Sequence, residues 1–188
     1  MSLIVEDGTQ TPGAESYISV TDANVYHAKY GNAAWAAFPS EDDVPAPTPG
    51  SVTKESLLRN ATQYMVGVYR LRWTGLRVSP TQVLDWPRIG VILKDTASFF
   101  VDQRLSYTVP ANIVPDIVKH ACAILALKAS TQDLSPDLDQ RTLLEKVGPI
   151  QVNYDRFSPQ YRRFRAVDLM LNPYLDATNG LTTKLMRA

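Results

Sequence analysis

The chain has 188 residues, 45% of them apolar and 20% charged, which suits one globular domain with a real core. Nineteen basic residues balance nineteen acidic ones, so no global charge draws the chain to nucleic acid or to an anionic membrane. A single cysteine, Cys122, excludes an internal disulfide, and no apolar run approaches the roughly 18 residues that span a bilayer.

The charge is unevenly distributed. Met1 to Glu55 holds 2 basic and 8 acidic residues, whereas Ser56 to Arg104 holds 7 basic and 3 acidic. Such a division either gives a subunit two unlike faces or is ordinary solvated surface. The acidic start, Met1 to Asp7, has no apolar signal region, so the expected compartment is cytoplasm-like.

The first helix signal follows Tyr17. Ser19 is its cap, Asp22 lies in the first turn and Gly31 ends it. Val20, Ala23, Tyr26, His27 and Tyr30 make a helical stripe. Asn32 then caps a short piece over Ala33 to Phe38 that carries Trp35. Residues 39–52 form a proline-rich loop, because Pro39, Pro45, Pro47 and Pro49 forbid continuous helix, and Glu41, Asp42 and Asp43 keep it wet.

Thr53 opens the next helix. Leu57, Ala61, Tyr64, Met65 and Val68 fall on one face of a 3.6-residue period, and Arg59, Asn60, Thr62 and Gln63 take the other. Arg72 to Val91 lacks a long period and reads as a loop with one short helical turn around Ser79–Leu84. Residues 92–109 are a loop or hairpin excursion containing Phe99 and Phe100. Pro115 starts the best core helix, with Val114, Ile117, Val118, Ala121, Ile124 and Leu125 at helical spacing. Residues 143–154 read as a short β-hairpin around Gly148-Pro149, since Ile150, Val152 and Tyr154 alternate. A last helix carries Val167, Met170, Leu171 and Tyr174. Asn179-Gly180 then releases a tail. The expected fold is mainly α: a small helical bundle over residues 1–178 with a short β-hairpin and extended loops, followed by a flexible C-terminal tail, 179–188.

No constellation for catalysis emerges. His27 and His120 stand in no zinc spacing, and each reads as a partly exposed helix residue. Cys122 and His120 are two apart on one helix and point to different faces. No phosphate-binding glycine loop is present, and the acidic pairs Asp42-Asp43 and Asp137-x-Asp139 lack the rest of a calcium loop. The expectation is a non-enzyme with no cofactor and no metal. Two basic and aromatic clusters remain: Tyr69-Arg70-Leu71-Arg72-Trp73 continued by Arg77 and Trp86-Pro87-Arg88, and Tyr161-Arg162-Arg163-Phe164-Arg165. They fit core packing, a subunit interface or single-stranded nucleic acid. The candidate interface residues are Trp35, Arg72, Trp73, Trp86, Arg88, Phe99, Phe100, Arg162, Arg163 and Arg165.

Several segments together resemble a phage and prophage family. They are Val5-Glu6-Asp7-Gly8, Ala14-Glu15-Ser16-Tyr17-Ile18-Ser19-Val20, Gly31-Asn32-Ala33-Ala34-Trp35, Arg72-Trp73-Thr74-Gly75, Ser79-Pro80-Thr81-Gln82, Trp86-Pro87-Arg88-Ile89-Gly90, Ile113-Val114-Pro115-Asp116-Ile117-Val118-Lys119, Glu145-Lys146-Val147-Gly148-Pro149-Ile150 and Ala166-Val167-Asp168. The family is labelled DnaT-like single-stranded-DNA-binding protein, and its members are similar in size and pattern to head–tail connector (adaptor) proteins of tailed phages. The resemblance implies a virion component made in the host bacterial cytoplasm: a homo-oligomeric, dodecameric ring under the portal protein at the head–tail joint. That ring meets a neck, tail-completion or tail-tube protein on the tail side and passes the double-stranded genome without reading its sequence. It implies no membrane partner. Leu181, Lys184, Leu185, Met186 and Arg187 are then expected to dock the tail on the portal or a neighbouring subunit. The alternative is a single-stranded-DNA-binding module acting in phage replication. Pro39–Ser51 and Ile92–Val109 depart from the family pattern as insertions.

Overall fold

The computed structural model describes residues 3–43, 50–94, 107–137, 144–147, 150–153 and 163–176. The fold is mainly α with a short antiparallel hairpin. Its centre is the contact between α2 (Lys54–Tyr69) and α3 (Asp116–Ala129). Leu57, Leu58, Ala61, Met65 and Tyr69 from α2 meet Val118, Ala121, Cys122 and Leu125 from α3, all of them buried. Each buried leucine contributes about 1.5–3 kcal/mol by leaving water. The run Ala121, Cys122, Ala123 supplies small side chains to that core.

Local signals set the helix starts. The Ser19 hydroxyl accepts the Asp22 N–H at 3.0 Å and caps α1 (Val20–Lys29). Thr53 and Ser56 form a reciprocal capping box at the start of α2: each hydroxyl accepts the other's backbone N–H, at 3.2 and 3.0 Å. Asn32 makes no side-chain cap for the 3-10 helix over Ala33–Ala37; its amide instead lies 3.1 Å from His27 Nδ1.

Three details of the expected faces are corrected. Thr62, expected on the polar side of α2, is buried because its hydroxyl donates back to the Leu58 carbonyl at 2.9 Å and so brings no unpaired group inside. Val68, expected in the core stripe, is exposed, since the core is met along Leu57, Leu58, Ala61, Met65 and Tyr69. His27, expected to be partly exposed, is buried between Tyr26 and Trp35, with ring centroids 5.4 and 4.6 Å away.

Glu41, expected to keep the proline-rich loop wet, is turned in and paired with Arg59, whose Nε also donates to Glu15 at 3.0 Å. The Arg59 hydrogen bond holds the Glu41 carboxyl below its usual range. Asp42 and Asp43 are exposed, and residues 44–49 lie outside the described set.

The expected helical turn over Ser79–Leu84 is reduced to a single hydrogen-bonded turn, with the Gln82 N–H donating to the Ser79 carbonyl at 3.4 Å and the Ser79 hydroxyl accepting the Thr81 N–H at 3.3 Å. Gln82 accepts the Val78 N–H at 3.2 Å and donates to the Leu84 and Pro87 carbonyls, both at 2.9 Å, while Arg77 donates to the Gln82 carbonyl at 3.0 Å. The chain instead forms a two-residue antiparallel ladder, β1 (Leu76–Arg77) with β2 (Arg88–Ile89), in which Leu76 faces Ile89 and Arg77 faces Arg88. The 92–109 excursion closes as a hairpin base, with Leu93 N–H to the Tyr107 carbonyl and Val109 N–H to the Val91 carbonyl, each at 2.9 Å. Phe99 and Phe100 lie outside the described residues.

The expected hairpin is β3 (Leu144–Val147) against β4 (Ile150–Asn153), in register Leu144 to Asn153 and Val147 to Ile150. The last helix, α4 (Arg165–Leu171), packs on α3 and continues as a 3-10 turn, Asn172–Tyr174. It is tied to the end of α2: the Tyr69 hydroxyl donates to Asp168 at 2.8 Å, and the Asp176 N–H donates to the Arg72 carbonyl at 2.7 Å. The Thr74 N–H and hydroxyl both donate to the Tyr174 carbonyl at 2.9 Å.

Candidate functional site

Most of the tryptophan and arginine motifs converge on one place, the connection between α2 and β2, and they face inward. Trp73 and Trp86 pack edge to face with centroids 5.6 Å apart, and Tyr174 closes the far side of Trp86 at 5.6 Å. Both tryptophans are buried, as is Trp35, whose Nε1 donates to Asn24 at 2.8 Å. The Trp86–Pro87 peptide bond is cis.

Arg88 is only 5% exposed, and its guanidinium is used up on backbone carbonyls. It donates to Thr74 at 2.8 Å, Gly75 at 2.7 Å and Asp85 at 3.1 Å. Burial lowers its pKa, and the nearby Asp85 charge opposes that shift. Asp85 is itself fully buried: its Oδ1 accepts Arg70 Nε at 2.8 Å, and its backbone N–H donates to the Tyr17 hydroxyl at 3.0 Å. Burial, reinforced by the Asp85 charge, pushes the Tyr17 phenol far above its ordinary value. Gly75 is needed in this knot. Its φ is +67°, and a Cβ there would sit 2.4 Å from the Ile89 carbonyl oxygen.

The second cluster divides. Phe164 is buried, with Tyr64 edge-on at 5.4 Å and the Lys128 ammonium 5.8 Å from its ring centre. Arg163 and Arg165 are exposed, and Arg162 lies outside the described residues. Arg72 is half-buried over the Tyr69 ring, 3.9 Å from Asp168. Leu181, Lys184, Leu185, Met186 and Arg187 are also outside the described residues. Of the candidate interface set, then, Trp35, Trp73, Trp86 and Arg88 are scaffold in this fold, and Arg163 and Arg165 offer surface.

Residues outside that set provide most of the apolar surface here. Leu71 is 84% exposed, Leu76 72% and Ile89 54%, and Val78 and Val83 are also exposed. Leu76 and Ile89 are direct cross-strand neighbours and so lie on the same face of the ladder. Arg77 is the exposed charge on the ladder, while Arg70, also exposed, is paired with the buried Asp85. A short apolar-polar alternation in Leu76-Arg77-Val78 was the one sequence signal for this face, and it is too brief to stand out against the aromatic residues around it.

A second surface feature lies between α1 and α3. Tyr26 stacks against His120 at 4.6 Å and against Tyr30 at 4.5 Å, in a groove of about 420 Å³. Val25 and Tyr30 are exposed in its lining, together with two acids, Asp22 and Asp116, and two lysines, Lys29 and Lys119.

Cys122 is buried and its thiol pKa is raised by that burial, which disfavours the reactive thiolate. Among the described residues, no group of three histidine, cysteine, aspartate or glutamate side chains is placed to hold a metal ion, and no helix is long and apolar enough to cross a membrane.

No curated protein and no solved structure matches the chain. A family model matches it over residues 1–188, its whole length. The chain therefore belongs to the family described as "Putative DnaT-like ssDNA binding protein".

Proposed function

We propose that the chain is a non-catalytic assembly subunit, the adaptor that forms a ring beneath the portal of a tailed phage and carries the DNA channel toward the tail. The observation that carries this reading is the division of labour around β1 and β2. The tryptophans and Arg88 are consumed inside the fold, while Leu71, Leu76 and Ile89 face water. An exposed cross-strand aliphatic pair, Leu76 opposite Ile89, with Arg77 next to it, has the composition of a protein–protein contact. The position at the head–tail joint rests on the similarity in size and pattern between members of that family and phage connectors; the family description names no such role.

The family description favours a second reading, in which the chain binds single-stranded DNA. Strand binding needs aromatic faces free to stack and cations free to meet phosphate. Trp35, Trp73 and Trp86 offer no free face, and Arg88 is spent on carbonyls. Tyr30 and Tyr107 are exposed and remain available to that reading.

Anisotropy of a labelled single strand, titrated with the protein at low and at near-physiological salt, separates the two. The assembly reading expects no saturable binding at about 150 mM salt. Strand binding instead expects saturation at low salt and an affinity that falls steeply as salt rises.

A further inference from the structure

We propose that residues 177–188 lie back along α2, in the groove between that helix and the segment that follows α3. This inference concerns one chain packing on itself and does not depend on the assembly reading. The groove has a volume of about 690 Å³ and is lined along α2 by Gln63, Tyr64, Gly67 and Val68, with Asp133 and Leu134 on its other side.

The backbone aims the segment at this groove. Leu175 pairs antiparallel with Trp73, and the Asp176 N–H donates to the Arg72 carbonyl at 2.7 Å. The direction of that pairing sends the chain after Asp176 toward Leu71. Leu71 is 84% exposed and comes one helical turn after Gly67, on the side of α2 that lines the groove. From Arg72 back to Tyr64 is about 12 Å at helical rise. The segment spans about 18 Å as a helix and about 40 Å extended, so it reaches the length of the groove.

Composition selects this occupant. Asp133 is exposed and is the one charged side chain among the described residues lining the groove. Residues 177–188 carry Lys184 and Arg187 and no acid. Leu181, Leu185 and Met186 fall at i, i+4 and i+5, one helical side, to meet Tyr64 and Val68, and Thr182 and Thr183 supply hydroxyls for the exposed amide of Gln63. Gly67 provides room. It stands inside α2, where glycine weakens a helix relative to alanine, and nothing lies within 4 Å of the place its Cβ would take. A segment laid across α2 uses that space.

A nitroxide attached to Thr183→Cys in the full chain tests the placement; Cys122 is buried and stays unlabelled. In the NMR spectrum the amide signals of Gln63, Gly67, Asp133 and Ser135 are expected to be broadened away, while those of Leu76 and Ile89 remain. Gly67→Leu fills the groove without weakening α2, since leucine is the better helix former, and should bring the signals of Gln63 and Asp133 back. No broadening at Gly67, broadening of Leu76 as strong as that of Gly67, or broadening that Gly67→Leu leaves unchanged overturns the proposal. Mixing the nitroxide-bearing chain with an isotope-labelled chain that lacks the nitroxide should broaden nothing. Loss of the same signals in that mixture would put the segment in another copy's groove and overturn its placement within one chain.

Discussion

The phenol oxygen of Tyr17 accepts the backbone N–H of Asp85 at 3.0 Å, joining the segment before α1 to the loop before β2 across 68 residues of sequence. Both ends are fully buried, so no water stands ready to replace the bond. Tyr17→Phe keeps the ring and removes only the acceptor. It is expected to destabilise the fold by about 1–3 kcal/mol, the cost of a buried donor left unpaired. A urea unfolding curve checks this; a midpoint equal to that of the parent protein would show that the bond is dispensable.

Arg88 is the centre of the same knot. Arg88→Lys keeps a positive charge but cannot reach Thr74, Gly75 and Asp85 together from one planar fork. The orphaned carbonyls are expected to cost about 3 kcal/mol, comparable with breaking a buried charged network. Thermal unfolding followed by circular dichroism should show a Tm lowered by several degrees, and tryptophan fluorescence should report looser packing of Trp73 and Trp86.

Two glycines with positive φ give a matched comparison. Gly75 has φ +67° and no room, whereas Gly31 has φ +68° and open space around it. Gly31→Ala should cost about 1 kcal/mol, the backbone penalty alone. Gly75→Ala carries that penalty plus a clash with the Ile89 carbonyl, so it should be clearly the more destabilising of the pair and should disturb the β1–β2 face. Equal midpoints for the two variants in denaturant would contradict the packing described at Gly75.

His27 makes stability pH-dependent. Burial lowers its pKa in the folded protein from the ordinary value near 6.5. The unfolded chain therefore takes up the proton first. The stability contributed by neutral His27 is fully present above about pH 6.5 and is lost as the pH falls from there through the folded pKa. His27→Gln, which retains a polar partner for Asn32, should flatten that slope. Unfolding midpoints of the two proteins, measured from pH 7.5 to 5, should converge toward the acid end; parallel curves would remove His27 as the cause.

Much of this architecture was legible in the sequence because its signals are local. Ser19 and Thr53 announce helix starts through side chains that reach only a few residues along the chain. The apolar spacing in Val118, Ala121 and Leu125 records one face of α3. The alternation after Gly148-Pro149 marks β4. What was not legible depends on partners far away. Nothing around Arg88 in the sequence says that its guanidinium ends on the carbonyls of Thr74 and Gly75. Thr62 looks polar until the Leu58 carbonyl absorbs its hydroxyl. For the same reason the candidate surface shifted: tryptophan and arginine drew attention as interface residues, but the fold had already used them inside, and the modest aliphatic residues Leu71, Leu76 and Ile89 were left facing water.

Cryo-electron microscopy of tailed particles produced from the genome that encodes this chain tests the adaptor reading most directly. The account predicts a ring of this chain between portal and tail, with the β1–β2 face of each copy buried against its neighbour. Intact tailed particles without the chain, together with tight, salt-sensitive binding of free single strands by the purified protein, would contradict it.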